Sequence, residues 1–182
     1  MTPDPAADSG SRLRVVLSQQ QIAARVREMG QQIARDFVGE SVLLVGVLKG
    51  AAVFLSDLAR AVPLDASFDF IGTSSYGAEK VSSGEVRLTK DLEQPLIGRN
   101  VVLVEDILDT GLTMMYLRQI FLARQPKALK IAALLDKACR RQHQVVADYV
   151  GFVIPDEFVV GYGMDYSEKY RNLPDICVLE EQ

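Results

Sequence analysis

Two short apolar runs constrain this chain more than any other feature. Residues 42–48 (VLLVGVL) and 101–104 (VVLV) contain no polar side chain, are rich in β-branched residues and are too short to be buried helices. A strand that is apolar at every position is buried on both faces, as a central strand of a parallel sheet is when helices cover both sides. Residues 129–135 (LKIAALL) and 149–154 (YVGFVI) predict two further strands.

The segments between them carry helical spacing. Ser18-Gln19-Gln20-Gln21 has the form of a capping box, and Ile22, Val26, Met29, Ile33 and Phe37 follow as one stripe that ends at Gly39. A second helix follows Lys49-Gly50 and stops at Pro63, and a third covers 112–124. Residues 64–73 alternate as a strand and 86–89 as a short returning strand, while the Ser- and Gly-rich stretch 74–84 predicts a mobile loop. Together these elements predict an α/β fold, an open and mostly parallel sheet flanked by helices. One domain is expected at 14–182, with order setting in near Ser18 after a disordered tail at 1–13. Its core is expected at about 18–150, and a small C-terminal cap at about 151–182 lies over the strand ends, where such folds bind ligands.

Charge and composition narrow the function. Twenty Lys and Arg stand against 24 Asp and Glu, a net charge of −4, with no basic run longer than Arg140-Arg141. That excludes the Lys/Arg-rich face of a general nucleic-acid binder. The single His, His143, excludes multi-His zinc sites, argues against a His-based triad, and sits in a polar stretch that reads as surface. No apolar run approaches the roughly 20 residues that span a bilayer, and the first 14 residues lack a signal-peptide pattern. Cys139 and Cys177 form no CxxC and read as reduced, partly buried thiols. A cytoplasmic protein without membrane or nucleic-acid partners is expected.

The chemistry is concentrated in 101–114 (VVLVEDILDTGLTM). The apolar run delivers Glu105 and Asp106 to the end of a central strand, and Asp109-Thr110-Gly111-Leu112-Thr113 turns into the next helix. Unpaired N–H groups and the positive dipole end of that helix, with the two Thr hydroxyls, make a phosphate cradle. Three carboxylates beside such a cradle need something between them. Sugar hydroxyls or Mg²⁺ would both serve, and a ribose 5-phosphate with Mg²⁺ satisfies both conditions. Neither GxxxxGK[ST] nor GxGxxG is present.

The segment VLVEDILDTGLT resembles the phosphoribosyl pyrophosphate (PRPP) signature of type I purine phosphoribosyltransferases, above all the hypoxanthine-guanine family. Residues 48–51 (LKGA), 74–77 (SSYG), 150–166 (VGFVIPDEFVVGYGMDY) and 170–173 (YRNL) agree in order and spacing, so the resemblance runs from about 41 to 179. It implies the type I phosphoribosyltransferase fold and transfer of a phosphoribosyl group from PRPP to hypoxanthine or guanine, with Mg²⁺ as cofactor, in a homodimer or homotetramer. It places Glu105, Asp106, Asp109, Thr110, Gly111, Leu112 and Thr113 on the ribose phosphate, and Lys49, Gly50 and Arg171 on the diphosphate. Lys137, Phe158 and Val159 fall on the purine, with Lys137 facing its oxo group and Phe158 stacking. Asp109 becomes the catalytic acid or base facing N7, Glu105, Asp106 and Asp165 the metal ligands, and Ser75 and Tyr76 part of a closing lid. A cis peptide at Leu48-Lys49 is also implied. Leu112 departs from members with Lys or another polar residue in this turn.

Each residue also has a plainer reading. Glu105 and Asp106 can be solvated acids at a strand end, Asp109 a helix N-cap, Lys49-Gly50 an exposed turn, Lys137 a surface lysine and Phe158 a core residue. Two rival functions share the PRPP half: a PRPP-sensing nucleic-acid regulator, which the absence of a basic stripe disfavours, and a transferase for xanthine or a pyrimidine, which differs at the base pocket.

Overall fold

The computed structural model describes residues 12–75 and 86–180. Strands β1 (Arg12–Leu17), β2 (Val42–Leu48), β3 (Ala66–Ser75), β4 (Val86–Lys90), β5 (Asn100–Leu108), β6 (Ala128–Asp136), β7 (Tyr149–Val153), β8 (Val159–Val160) and β9 (Ile176–Glu180) form two sheets. The larger has the order β4-β3-β2-β5-β6-β7, parallel except for the edge strand β4. The expected α/β architecture is therefore present, with the doubly buried run of β2 at its centre.

Helix α1 (Gln19–Asp36) starts at the capping box read from the sequence. The Ser18 side chain accepts from Gln21 N and the Gln21 side chain accepts from Ser18 N. Its stripe of Ile22, Val26, Met29 and Ile33 is buried and packs with Phe54, Leu55 and Leu58 of α2 (Ala52–Ala61). Burying each such side chain stabilises the fold by about 1.5–3 kcal/mol. Helix α3 (Leu112–Ala123) covers the other face through Met114, Leu117 and Phe121. Alternate residues of β5 divide accordingly. Val102 and Val104 join the α1/α2 cluster, Val101 and Leu103 the α3 cluster.

The helices α1 and α2 approach closely at Gly30, where a Cβ would fall on the carbonyl oxygen of Ala61. In an isolated helix Gly→Ala is favourable by about 1 kcal/mol. Here the contact is with backbone, which cannot yield, so overpacking of about 1–3 kcal/mol opposes that gain and Gly30→Ala is expected to destabilise by up to about 2 kcal/mol net. A denaturant midpoint equal to or above that of the wild type would show that the two helices can move apart.

The beginning and end of the chain required correction. Structure starts at Arg12, not near Ser18, because β1 pairs antiparallel with β9 (Arg12 opposite Glu180, Arg14 opposite Val178). Residues 12 and 13 thus leave the expected tail, and 1–11 lie outside the described residues. The cap is a three-stranded sheet, β1-β9-β8, so it draws one strand from the start of the chain, and β7 of the main sheet runs past the expected boundary at 150. Tyr162 ties the cap to α2 by donating its hydroxyl to Asp57 Oδ2 at 2.6 Å. Cys177 is buried on β9, while Cys139 is exposed rather than partly buried; both are free thiols. Most of the loop expected at 74–84 lies outside the described residues, although Ser74 and Ser75 continue β3.

Candidate active site

Chain order places the site. From β2 the chain moves to β3 and β4 on one side, then returns to β5, β6 and β7 on the other. The strand order reverses between β2 and β5, and open α/β sheets bind ligands in the crevice beyond the strand ends at such a point. Lys49-Gly50 follows β2 there, and Glu105 to Leu108 forms the end of β5 with Asp109 just beyond it.

Strand β5 extends to Leu108, so Glu105 and Asp106 lie within the strand rather than at its tip. Continuing the alternation of β5 sends them to opposite faces. Glu105 lines a cavity of about 70 Å³ with Asp109, Thr110, Gly111, Leu112 and Thr113. Asp106 lines a second, of about 220 Å³, with Ile107, Asp109, Lys137, Phe158, Val159, Met164 and Asp165. Asp109 borders both.

The smaller cavity is the N-terminal mouth of α3. Gly111 is the N-cap, with φ of +87°, a left-handed conformation natural to glycine. Asp109 therefore does not cap the helix, which corrects the plainer sequence reading. The first helical bond runs from Met115 N to Gly111 O, so the Thr113 and Met114 N–H groups make no backbone bond among the described residues, while Leu112 N donates to Thr110 Oγ1 at 3.4 Å. The turn is held from behind by a segment the sequence reading passed over. Gln142 N and His143 N both donate to Thr110 O, at 3.0 and 3.1 Å, and Arg141 Nη1 donates to Asp109 O at 3.0 Å. His143, expected as a surface residue, is half-buried and contributes its backbone here. Arg141 also pairs with Asp136, at the end of β6.

In the larger cavity Lys137 is buried, not the solvated lysine of the plainer reading, and its Nζ lies 3.9 Å from Asp156 Oδ1. Phe158 is 54% exposed and meets Tyr166 edge-on at 5.8 Å, so it is a cavity wall rather than a core residue. Arg140 Nε stands 3.0 Å from Asp109 Oδ1, and Arg140 Nη1 stands 3.3 Å from Asp156 Oδ2. The first contact is not aligned as a hydrogen bond, and Asp109 Oδ1 is left without a hydrogen-bond donor among the described residues. Asp109 first, then Asp156, holds the Arg140 guanidinium above its ordinary value. Sequence reasoning missed Arg140 because a basic pair in a polar turn carries no signal of what it faces.

The Leu48-Lys49 peptide is cis. Gly50 is packed so closely that a Cβ there would fall within the Asp106 carboxylate, and a Cβ at Gly163 would fall on Gly50 O. Lys49 Nζ pairs with Glu168 Oε2 at 2.9 Å, and Arg171 Nη2 with Asp165 Oδ1 at 2.7 Å and Glu168 Oε1 at 3.5 Å. Glu168 thus bridges the two cations expected at a diphosphate. Ser75 ends β3, and Tyr76 lies outside the described residues.

The three expected metal ligands do not form one cluster, and no group of three or more His, Cys, Asp or Glu among the described residues could hold an ion together. The reason is the strand: Glu105 and Asp106 diverge, and Asp165 is engaged by Arg171. Mg²⁺ nevertheless fits this donor set, since it commonly takes one or two carboxylates plus ligand oxygens and water. Glu105 Oε2 is buried with no partner, and burial, with a lesser push from Asp106, raises the Glu105 carboxyl well above the usual range. Burial likewise pushes Asp106 up to about 6, against hydrogen bonds from the backbone and the charge of Arg171. A positive or hydroxyl-donating ligand at these two groups would favour their charged forms.

The Asp106 shift has a consequence for stability. An acid whose pKa is raised by folding binds more protons folded than unfolded, here between about pH 4 and about pH 6. Stability therefore falls as pH rises across that window and stays lower above it, by up to about 3 kcal/mol. Asp106→Asn lacks this term, so its unfolding free energy should gain on that of the wild type between pH 4 and pH 7. A constant difference across that range would show that Asp106 is not the group responsible.

Comparison with known proteins agrees with this geometry. Residues 8–167 match the phosphoribosyl transferase domain family. The chain is 46% identical to the hypoxanthine-guanine phosphoribosyltransferase of Streptococcus thermophilus, over 93% of this chain and 94% of that one. The chain belongs to the hypoxanthine-guanine branch of the phosphoribosyltransferase family. It is equally 46% identical to the Bifunctional protein TilS/HprT of Listeria monocytogenes, but spans only 26% of that protein's length. Among solved structures, a hypoxanthine-guanine phosphoribosyltransferase from Bacillus anthracis, with a HEPES molecule in its active site, superposes with a TM-score of 0.88 at 48% identity, covering 92% of this chain and 99% of that one. A Trypanosoma cruzi hypoxanthine phosphoribosyl transferase superposes with a TM-score of 0.87 at 38% identity, covering 97% of this chain and 95% of that one.

Proposed function

We propose that this chain transfers the phosphoribosyl group of PRPP to hypoxanthine or guanine, releasing diphosphate. The observation that carries the reading is the juxtaposition of two cavities that share Asp109. One is a helix mouth suited to a phosphate, and the other is walled by a buried lysine, an exposed aromatic ring and a strand edge.

The ribose phosphate sits on the N–H groups and hydroxyls of Thr110 to Thr113, beneath Glu105. Ribose hydroxyls donate to Glu105 and Asp106. The purine stacks on Phe158 beside Val159, and Lys137 donates to its oxo group, which disfavours an amino group at that position. Lys49, the Gly50 backbone and Arg171 face the diphosphate, whose charge grows as the C1–O bond loosens and positive charge builds on the ribose. The diphosphate replaces Glu168 between Lys49 and Arg171. N9 of the purine attacks C1, and the N7 proton passes to Asp109, whose Oδ1 has no hydrogen-bond donor among the described residues. Asp106 and Asp165, which line one cavity, would hold Mg²⁺, with Glu105 toward the ribose. When bound, the ion supplies positive charge that stabilises the leaving group. Ser75 and Tyr76 belong to the segment that would close over PRPP and exclude water.

The same reading makes the protein a cytoplasmic homodimer or homotetramer without nucleic-acid or membrane partners. The net charge of −4 argues against a nucleic-acid partner, and no helix among the described residues is long and apolar enough to cross a membrane. Steady-state kinetics with PRPP, Mg²⁺ and each of hypoxanthine, guanine, xanthine and adenine tests the function. Nucleotide from the first two is expected; turnover of adenine alone, or of none, would refute it.

A further inference from the structure

The larger cavity contains an electrostatic problem that the proposed chemistry leaves open. Asp109 and Lys137 both line it, one acidic and one basic, and both are read as touching the purine, at N7 and at the oxo group. Two opposite charges on the wall of a 220 Å³ cavity attract each other across it. If they paired, the acceptor and the donor would both be consumed before a purine arrived.

Each is instead engaged from outside. Arg140 Nε stands 3.0 Å from Asp109 Oδ1, and Lys137 Nζ stands 3.9 Å from Asp156 Oδ1. Arg140 links the two pairs into one chain by placing Nη1 3.3 Å from both oxygens of Asp156. The four charges alternate in sign, Asp109, Arg140, Asp156, Lys137, and neither Arg140 nor Asp156 lines the cavity. Arg140 ends the 3-10 turn Ala138–Arg140 after β6, and Asp156 stands two residues before Phe158, so the chain of charges also ties the turn to the segment that carries the stacking ring.

We infer that Arg140, with Asp156, is a positioning residue that holds Asp109 and Lys137 apart so that both remain open to a 6-oxopurine. The inference rests on the proposed purine site. Arginine suits the role because its planar fork reaches two carboxylates at once, whereas a lysine offers a single compact charge. The pairs are partly exposed, with the Arg140 side chain at 45%, so each contact contributes modestly and the predicted effect is correspondingly moderate.

The test is steady-state kinetics on Arg140→Gln, Arg140→Lys, Asp156→Asn and the double variant Arg140→Gln/Asp156→Asn, varying purine and PRPP separately. Arg140→Gln should raise the purine KM and lower kcat, each about fivefold, with the PRPP KM unchanged. Arg140→Lys should recover part of the loss. The double variant should cost less than the product of the two single effects, because either single change already breaks the Arg140–Asp156 link. A purine KM and kcat within twofold of wild type in Arg140→Gln would overturn the inference, as would an equal rise in the PRPP KM, the mark of a general structural role. Fully multiplicative single effects would also overturn it. Failure of the wild-type enzyme to convert either oxopurine would instead refute the proposed function, so the two failures are distinguishable.

Discussion

Asp109→Asn is expected to lower turnover by about a hundredfold or more while leaving PRPP affinity nearly unchanged. The substitution is isosteric, so the turn through Thr110 and Gly111 keeps its shape, held by Gln142, His143 and Arg141 through backbone acceptors that the change does not touch. What is lost is the capacity to accept a proton, since an amide oxygen is a far weaker base than a carboxylate. The expectation rests on the Asp109 carboxylate, which borders the larger cavity and whose Oδ1 faces Arg140 Nε at 3.0 Å with no aligned hydrogen-bond donor among the described residues. An interaction made only as N7 gives up its proton lowers kcat and kcat/KM alike, which distinguishes it from loss of ground-state binding. Steady-state rates with both substrates saturating, together with equilibrium binding of PRPP, make the measurement. An unchanged kcat would remove Asp109 from the chemistry, and a collapse of PRPP binding would reassign it to the phosphate turn.

Gly50→Ala should reduce kcat/KM for PRPP on the order of a hundredfold, the cost of displacing a positioned group by about 1 Å. The added methyl would occupy the place of the Asp106 carboxylate, which is buried. Gly50 is also pressed from the other side, its carbonyl lying against Gly163, which has φ of +102°. Either the carboxylate moves away from the ribose or the loop carrying Lys49 moves away from the diphosphate. Both outcomes fall on PRPP rather than on the purine, so the KM for hypoxanthine should change much less. Wild-type kinetics in the variant would mean that the loop and Asp106 are not fixed relative to each other.

Much of this site was legible in the chain because its residues lie close in sequence. Glu105 to Thr113 is one continuous strand, turn and helix start, and local spacing is enough to read it. Arg140 and Asp156 were not legible, since their partners lie 31 residues away in one case and 16 in the other, and nothing in RRQ or PDE announces a facing charge. Among the described residues Glu105, Asp106 and Asp165 do not gather into one cluster, for a different reason. Adjacent acids in a motif suggest a common ligand, but once β5 extends to Leu108 the two-residue period of a strand sends Glu105 and Asp106 to different cavities. Strand β1 was overlooked because its partner β9 is the last strand of the described chain, and an edge strand with several exposed residues alternates too weakly to be separated from a tail.

By itself the sequence determined the parallel sheet, the start of α1 and the phosphate turn, since each depends on contacts within a few residues or on burial of every residue in a run. Tertiary structure alone decided that Gly50 abuts Asp106, that Lys137 is buried beside Phe158, and that Arg140 stands between Asp109 and Asp156. These arrangements depend on where the ends of β2, β5 and β6 and the segment before β8 arrive together. Spacing along a chain does not encode distance between segments that only packing brings into contact.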